Sequence, residues 1–294
     1  MPLYVLYGSK KTKKETQMNL NLITPQKSEI DFKSFTFPDG QPHIKLEFIP
    51  TTTKHVHILT RLSTMNDVFL CLAAKNALDY AGVETVNVTI SYLMAARMDR
   101  VMTEGEPFSL KIVADILNAG QFRKVRIFDP HSDVATALIH RSMAISNLTL
   151  VKKAMEAFSG LTNNDYYLVS PDSGALKKVY KIAEAIGAER VAECIKFRDV
   201  KTGQLSGFKT FEEDFGQRPC FIIDDICDGG GTFAGLAALL KSRNAGKVIL
   251  IVSHGIFSRG LAIEGVDYIV STNSFKEFSE TPSSVRIFPV ESVL

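Results

Sequence analysis

At 294 residues, 45% hydrophobic and 22% charged, the chain holds enough apolar surface for two ordinary domains or one large one, which excludes a disordered polymer. A net charge of +2 gives no footprint for nucleic acid, and no apolar run approaches the roughly 20 residues that span a bilayer, so neither partner is expected. The cysteines Cys71, Cys194, Cys220 and Cys227 contain no CxxC pair, and Met1 to Tyr7 is too short for a signal h-region; a reducing, cytoplasmic setting is expected.

In chain order, the dense basic stretch Lys10-Lys11-Thr12-Lys13-Lys14 reads as a solvated loop. His55 to Leu59 reads as a strand, and Asn66 to Tyr80 as a helix with Phe69, Leu70, Ala73 and Ala77 at helical spacing. Val86 to Ile90 is the next strand, Ser109 to Leu117 a helix closed by Asn118-Ala119-Gly120, and Val125 to Phe128 a strand. That βαβαβ order predicts a parallel sheet with crossover helices. The pattern then restarts: strand Tyr166 to Val169, helix Ala175 to Ile186, strand Cys220 to Ile223, helix Phe233 to Leu240, strand Val248 to Val252. Strands apolar at every position, such as Cys220-Phe221-Ile222-Ile223, predict helices on both faces. The expected division is residues 1–148 and 149–294, with the last residues able to pack back on the first domain. Met65, Met94 and Met98 read as packing residues, and His140 and His254 as histidines satisfied by backbone bonds.

The chemistry concentrates where Phe221-Ile222-Ile223 runs into Asp224-Asp225-Ile226-Cys227-Asp228-Gly229-Gly230-Gly231-Thr232 and then a helix. Consecutive glycines let backbone N–H groups turn toward a ligand, and a helix N-terminus adds positive dipole: a phosphate cradle. Two carboxylates at the strand's end suit vicinal sugar hydroxyls or Mg²⁺. No Gly-Lys-Ser/Thr follows the glycines, so the loop is not a Walker P-loop.

This loop resembles the ribose 5-phosphate loop of type I phosphoribosyltransferases and of ribose-phosphate pyrophosphokinases. Further segments resemble the pyrophosphokinases, in the right order: Phe37-Pro38-Asp39-Gly40, then Ala96-Arg97-Met98-Asp99-Arg100 with Glu106 to Lys111, Asp129-Pro130-His131-Ser132, Ser170-Pro171-Asp172-Ser173-Gly174, and Lys196-Phe197-Arg198. The resemblance runs from about Phe35 to Asn273. It implies an α/β fold of two tandem phosphoribosyltransferase-type I domains, each with a mostly parallel sheet flanked by helices. It also implies ATP-dependent pyrophosphorylation of the anomeric hydroxyl of ribose 5-phosphate, releasing AMP.

On that resemblance, Lys196 and Arg198 are catalytic and stand at the start of a flexible loop; alternating along the chain, both can face one side of an extended segment. ATP falls to Phe37, Asp39, Gln41, Arg97, Met98, Asp99 and His131, the first three lent by a neighbouring subunit, which implies a homo-oligomer built from dimers, as large as a hexamer. The ribose phosphate falls to Asp172, Asp224, Asp225, Asp228, Gly229, Gly230, Gly231 and Thr232, and the cofactor Mg²⁺ to His131 and Asp172. The sequence departs from the family pattern at Gln41 (for glutamate), Met98 (for glutamine), Val101 (for lysine), Ala175 (for glycine) and Gly229, where most members carry threonine or another hydroxyl. Gly229 leaves two substrates open: ribose 5-phosphate, or a 5-phosphate-substituted ribose such as ADP-ribose, for NAD synthesis. A non-catalytic regulatory partner is a third reading, opposed by the presence of His131, Asp172, Lys196, Arg198 and both loop aspartates.

Overall fold

The computed structural model describes residues 16–162, 164–198 and 205–294, the side chains of 198, 205 and 206 excepted; the basic run Lys10 to Lys14 lies outside them. The first sheet takes β1 (Thr16–Asn21), β4 (Thr53–Leu62), β5 (Thr85–Leu93), β6 (Lys124–Phe128) and β7 (Ser142–Ile145), in that spatial order and all parallel. Between β1 and β4 the chain makes a separate antiparallel hairpin, β2 (Phe32–Thr36) and β3 (Pro42–Leu46).

Helices α1 (Met65–Tyr80) and α2 (Ser109–Ala119) are the crossovers of this sheet, and short α3 (Asp133–Leu138) joins β6 to β7. The start of α1 is fixed by a reciprocal cap: the Asp67 N–H donates to Thr64 Oγ1 at 3.2 Å and the Thr64 N–H to Asp67 Oδ2 at 2.7 Å. Val68, Cys71, Ala74 and Leu78 of α1 and Leu110, Val113, Ala114 and Leu117 of α2 pack with Val56, Ile58, Val86, Val88, Ile90, Val125 and Ile127 in a single core. The expected helices and strands of this half are thus present, each extended by a few residues.

The second sheet has the order β10-β9-β8-β11-β12-β13-β14. Its strands are β8 (Tyr167–Ser170), β9 (Val191–Arg198), β10 (Leu205–Thr210), β11 (Cys220–Cys227), β12 (Val248–Gly255), β13 (Tyr268–Thr272) and β14 (Val285–Phe288). All pair in parallel except β10, which turns back on β9. Helix α4 (Leu148–Ala157), with the one-turn α5 (Ser159–Thr162), leads into β8; α6 (Leu176–Ile186) follows β8 and α7 (Gly231–Ser242) follows β11.

Both faces of this sheet are covered. Phe233, Leu236, Ala237 and Leu240 of α7 pack on Val169, Ile222, Leu250 and Val252. Residues one step along the same strands, Leu168, Phe221, Ile223, Ile249 and Ile251, meet α4 and α6 on the other side. The expected division at 148/149 falls in the first turn of α4, a helix rather than a linker loop, and its buried Leu150, Val151 and Ala154 join the second sheet's core.

Several polar links tie the two sheets. Arg61 donates to the Ser274 carbonyl at 3.0 Å, to the Asn273 carbonyl, and to Glu277 at 2.8 Å. Near the C-terminus, Glu291 Oε1 accepts from Thr24 Oγ1 at 2.8 Å and from Asn21 Nδ2 at 3.2 Å. No helix among the described residues is long and apolar enough to cross a membrane.

Candidate active site

The chain turns direction at β8. From β8, α6 carries it to β9 on one side; β11, on the other side of β8, is followed by α7 and then β12. Right-handed crossovers in opposite directions put their helices on opposite faces and open the sheet's carboxyl edge between them, the usual position of a ligand in such sheets. The expected residues gather at that edge: Asp172 after β8, Lys196 near the end of β9, and Asp224 to Thr232 at the end of β11.

In the loop, Gly230 takes φ 76°, a conformation that favours glycine, and a Cβ there would stand 3.0 Å from the Ile263 side chain, which would have to give way. The helix begins at Gly231, two residues earlier than expected, which makes Gly231 and Thr232 its first-turn residues with N–H groups directed out of the helix. Lys196 Nζ donates to Thr232 Oγ1 at 3.1 Å, placing its ammonium at the cradle. Asp228 accepts from Ser258 Oγ at 2.7 Å and from Arg97 Nη1 at 3.1 Å. The Ser258 bond, with the Arg97 and Arg259 charges, holds its carboxyl below the ordinary range despite partial desolvation.

The acidic pair is not symmetric. His131 Nδ1 lies 2.7 Å from Asp225 Oδ2, and Asp224 Oδ1 accepts the Asp225 N–H at 2.9 Å. Burial pushes Asp225 up, but the His131 bond and the Lys178 charge outweigh it and hold that carboxyl well below its usual value. Asp224 goes the other way: burial, then the neighbouring Asp225 charge, push it well above the carboxylate range, although it keeps some solvent contact. The bond to Asp225 raises His131 against the opposing effect of burial. The two adjacent carboxylates are thus pushed in opposite directions, the one by burial and its neighbour's charge, the other by His131 and Lys178.

Asp172 organises its own turn, Oδ1 accepting the N–H groups of Gly174 at 2.9 Å and Ala175 at 3.1 Å. Asp99 and Met98 are half-buried beside Arg97. Phe37, Asp39 and Gln41 sit at the tip of the β2–β3 hairpin, and among the described residues their bonds stay within it: Phe37 meets Phe35 edge-on and His43 at a tilt, and the Gln41 N–H donates to Asp39 Oδ1 at 3.1 Å. The structure does not join them to the rest of the site within one chain. The side chain of Arg198, and residues 199–204 of the loop expected after Lys196, lie outside the described residues.

Residues 140–286 match the phosphoribosyl transferase domain family. Over 235 residues the chain is 27% identical to a ribose-phosphate pyrophosphokinase of Mycoplasmopsis pulmonis, covering 79% of this chain and 70% of that one. A ribose-phosphate pyrophosphokinase of Pyrococcus abyssi is 25% identical over 284 residues, 90% of this chain and 87% of its own. The crystal structure of phosphoribosylpyrophosphate synthetase from Mycobacterium smegmatis superposes with a TM-score of 0.75 at 19% identity, covering 93% of this chain and 94% of the other, and so shares the fold. The chain belongs to the phosphoribosyl transferase family, in its ribose-phosphate pyrophosphokinase branch. It is therefore an enzyme of the transferase class.

In this ribose-phosphate pyrophosphokinase relative, sequence reasoning missed a charge pair that stands beside the site. Lys178 on α6 pairs with both oxygens of Asp129 at 3.2 Å, and the charges of Asp129, Asp225 and Asp224 keep its ammonium raised against the cost of burial. Asp129, in a left-handed conformation at φ 40°, also accepts from Ser253 Oγ, while His254 Nε2 lies 3.1 Å from its carbonyl. His254 is satisfied, as expected, its Nδ1 lying 2.8 Å from Ser274 Oγ. A signal for Lys178 was present: it stands four residues before the buried Ile182, on the edge of the apolar stripe of α6.

Proposed function

We propose that the chain transfers the β,γ-diphosphate of ATP to the anomeric hydroxyl of ribose 5-phosphate, giving phosphoribosyl pyrophosphate and AMP. The observation that carries this reading is the pair of contacts Arg97–Asp228 and His131–Asp225. They bring the two first-sheet segments that resemble an ATP site against the sugar-phosphate loop of the second sheet, as a two-substrate transfer requires. The resemblance to the curated relatives supports the same assignment.

In the reaction the anomeric oxygen forms a bond to the β-phosphorus, the bond from that phosphorus to the α-phosphate oxygen breaks, and the hydroxyl proton is released. Catalysis then consists of positioning and charge neutralisation. Lys196, already held at Thr232, and Arg198 neutralise the moving diphosphate; the backbone of Gly229 to Thr232 and Asp228 position the 5-phosphate end. Asp172, Asp224 and Asp225 face the sugar hydroxyls, and Arg97, Met98, Asp99 and His131 the nucleotide. Phe37, Asp39 and Gln41 would complete a neighbour's nucleotide site, making a homo-oligomer the working form, and the two sheets would define the two domains.

Among the described residues no group of three or more His, Cys, Asp or Glu forms a ready metal cage. Mg²⁺ prefers one or two carboxylates together with substrate phosphates, and the adjacent Asp224 and Asp225 carboxyls next to His131 suit such a cation. His131 and Asp172, with that pair, would hold Mg²⁺, which would supply charge neutralisation on the phosphates.

The test is AMP release with ATP and Mg²⁺, comparing ribose 5-phosphate with ADP-ribose. Fast release with ribose 5-phosphate supports the proposal. Release with ADP-ribose alone would overturn the substrate, and release with neither sugar would overturn the reaction.

A further inference from the structure

Gly229 offers no side chain to the phosphate, yet the space beside it is filled. A Cβ placed on Gly229 would stand 3.4 Å from Arg259 Cδ and Nε and 3.7 Å from Cγ. Arg259 follows β12 in a tight turn, Phe257-Ser258-Arg259-Gly260, closed by the Gly260 N–H on the Phe257 carbonyl at 3.1 Å with Gly260 at φ 96°. The turn's own serine bonds Asp228, so it is anchored to the loop it covers.

The Arg259 side chain is exposed, and among the described residues it makes no hydrogen bond and no ion pair. The loop carboxylate that feels its charge, Asp228, is occupied on both oxygens, by Ser258 and by Arg97. The stem of a cation therefore stands where a side chain at the phosphate-cradling Gly229 would meet it, with the adjacent anion already taken by other donors.

We propose that Arg259 is the side-chain phosphate ligand of this loop and makes the site selective for a sugar ending in a phosphomonoester. The inference rests on the reading above that the loop holds the 5-phosphate. A phosphomonoester presents three terminal oxygens; backbone N–H groups and a two-pronged guanidinium can share them. A sugar whose phosphate is esterified to a further group presents only two, and needs the room that the Arg259 stem fills. Glycine at 229 then leaves the arginine its place, because a Cβ there would touch the stem and the γ atoms of a threonine would press on it. A charged fork has replaced a neutral hydroxyl as the side-chain donor.

The test compares the wild-type enzyme with Arg259→Ala and Arg259→Lys. In Arg259→Ala the KM for ribose 5-phosphate should rise about 10–100-fold, with kcat and the KM for ATP nearly unchanged, as expected for lost ground-state binding. Arg259→Lys, which keeps a point charge and loses the fork, should fall between. Combining Gly229→Thr with Arg259→Ala should recover part of the lost affinity, whereas Gly229→Thr alone should weaken binding. An unchanged KM for ribose 5-phosphate in Arg259→Ala, or a loss confined to kcat, would overturn the assignment. Calorimetric titration with ribose 5-phosphate and Mg²⁺, without ATP, separates this from the reaction. Weakened binding by the alanine variant supports the role of Arg259 even if no AMP forms, while equal binding by both proteins refutes it. Absence of binding by the wild type would overturn both the sugar assignment and this one.

Discussion

The two sheets of this molecule are built from the same βα units but wound differently, and the winding decides what each can do. In the first sheet the strands β1, β4, β5, β6 and β7 follow one another across the sheet in chain order. Right-handed crossovers in one direction place all their helices on one face. The strands obey: Val86, Val88 and Ile90 of β5 join the core, while Thr85, Asn87, Thr89 and Ser91 take the other face, beside His55, His57 and Arg126. Burial, then the Arg126 charge, lowers His57 to about 4, so this face carries a neutral imidazole. The second sheet reverses at β8, is covered on both faces, and is apolar at every residue from Val248 to Val252. The reversal also creates the binding edge. One winding gives a single-faced platform that presents Arg97 and His131; the other gives a two-faced core that presents the loop.

The comparison breaks most sharply at paired strand positions. Ile251→Ala in β12 removes a side chain fully enclosed between sheet and helices and should cost about 2–5 kcal/mol. Asn87→Ala on the polar face of β5 should stay within about 0.5 kcal/mol. Urea denaturation of the two variants measures both; equal costs would mean that the first sheet's polar face is as enclosed as the second sheet's core. On the proposed reaction, catalysis depends on the second half, at the end of β9. Lys196→Ala should slow AMP formation about 10²–10³-fold without lowering the melting temperature, and unchanged turnover would remove its assigned role.

This contrast also explains what could be read from the amino acids. All-apolar runs such as Val248 to Val252 and the strand-glycine-helix pattern at Asp224 to Thr232 announce themselves locally. β1, Thr16-Gln17-Met18-Asn19-Leu20-Asn21, does not, because it is an edge strand with half its residues exposed. The pairing of β10 with β9 was equally silent: Lys196 and Arg198 suggested an extended segment, while no alternation of apolar residues marks Leu205–Thr210 as its antiparallel partner. Site residues carried by a local motif were visible, but their partners were not. Arg97 and Asp228 are 131 residues apart, and Lys178 and Asp129 are 49 apart. No spacing rule links positions that only the docking of two sheets brings together.

That docking can be tested at the pair of Lys178, partly exposed, and Asp129, buried. Lys178→Met leaves Asp129 with Ser253 but without its cation, and removes positive charge from Asp224 and Asp225. Loss of one partner of such a pair should cost about 3 kcal/mol. It should also raise the KM of both substrates, since Asp129 stands two residues from His131. A variant with wild-type stability and kinetics would show that the sheets hold each other without this charge pair.

A smaller loss than at Lys178 is expected at Glu291, where the C-terminal turn meets the first sheet. Burial alone would raise its pKa, but the bonds from Thr24 and Asn21 more than offset that, and the carboxyl sits below the ordinary glutamate value. Among the described residues its second oxygen makes no hydrogen bond and faces the Lys27 ammonium at 3.6 Å, so the contribution is that of two donors to a charged acceptor near the surface. A carboxyl whose pKa is lower folded than unfolded stabilises the fold above its unfolded value and loses that contribution as pH falls through its folded value. Glu291→Gln should therefore cost about 1 kcal/mol at pH 7, and the difference between variant and wild type should shrink as acid protonates the glutamate. Denaturation curves taken from neutral pH into the acid range read this directly. A gap that persisted or widened below the glutamate range would mean that the link between the C-terminal turn and the first sheet depends on the shape of the side chain and not on its charge.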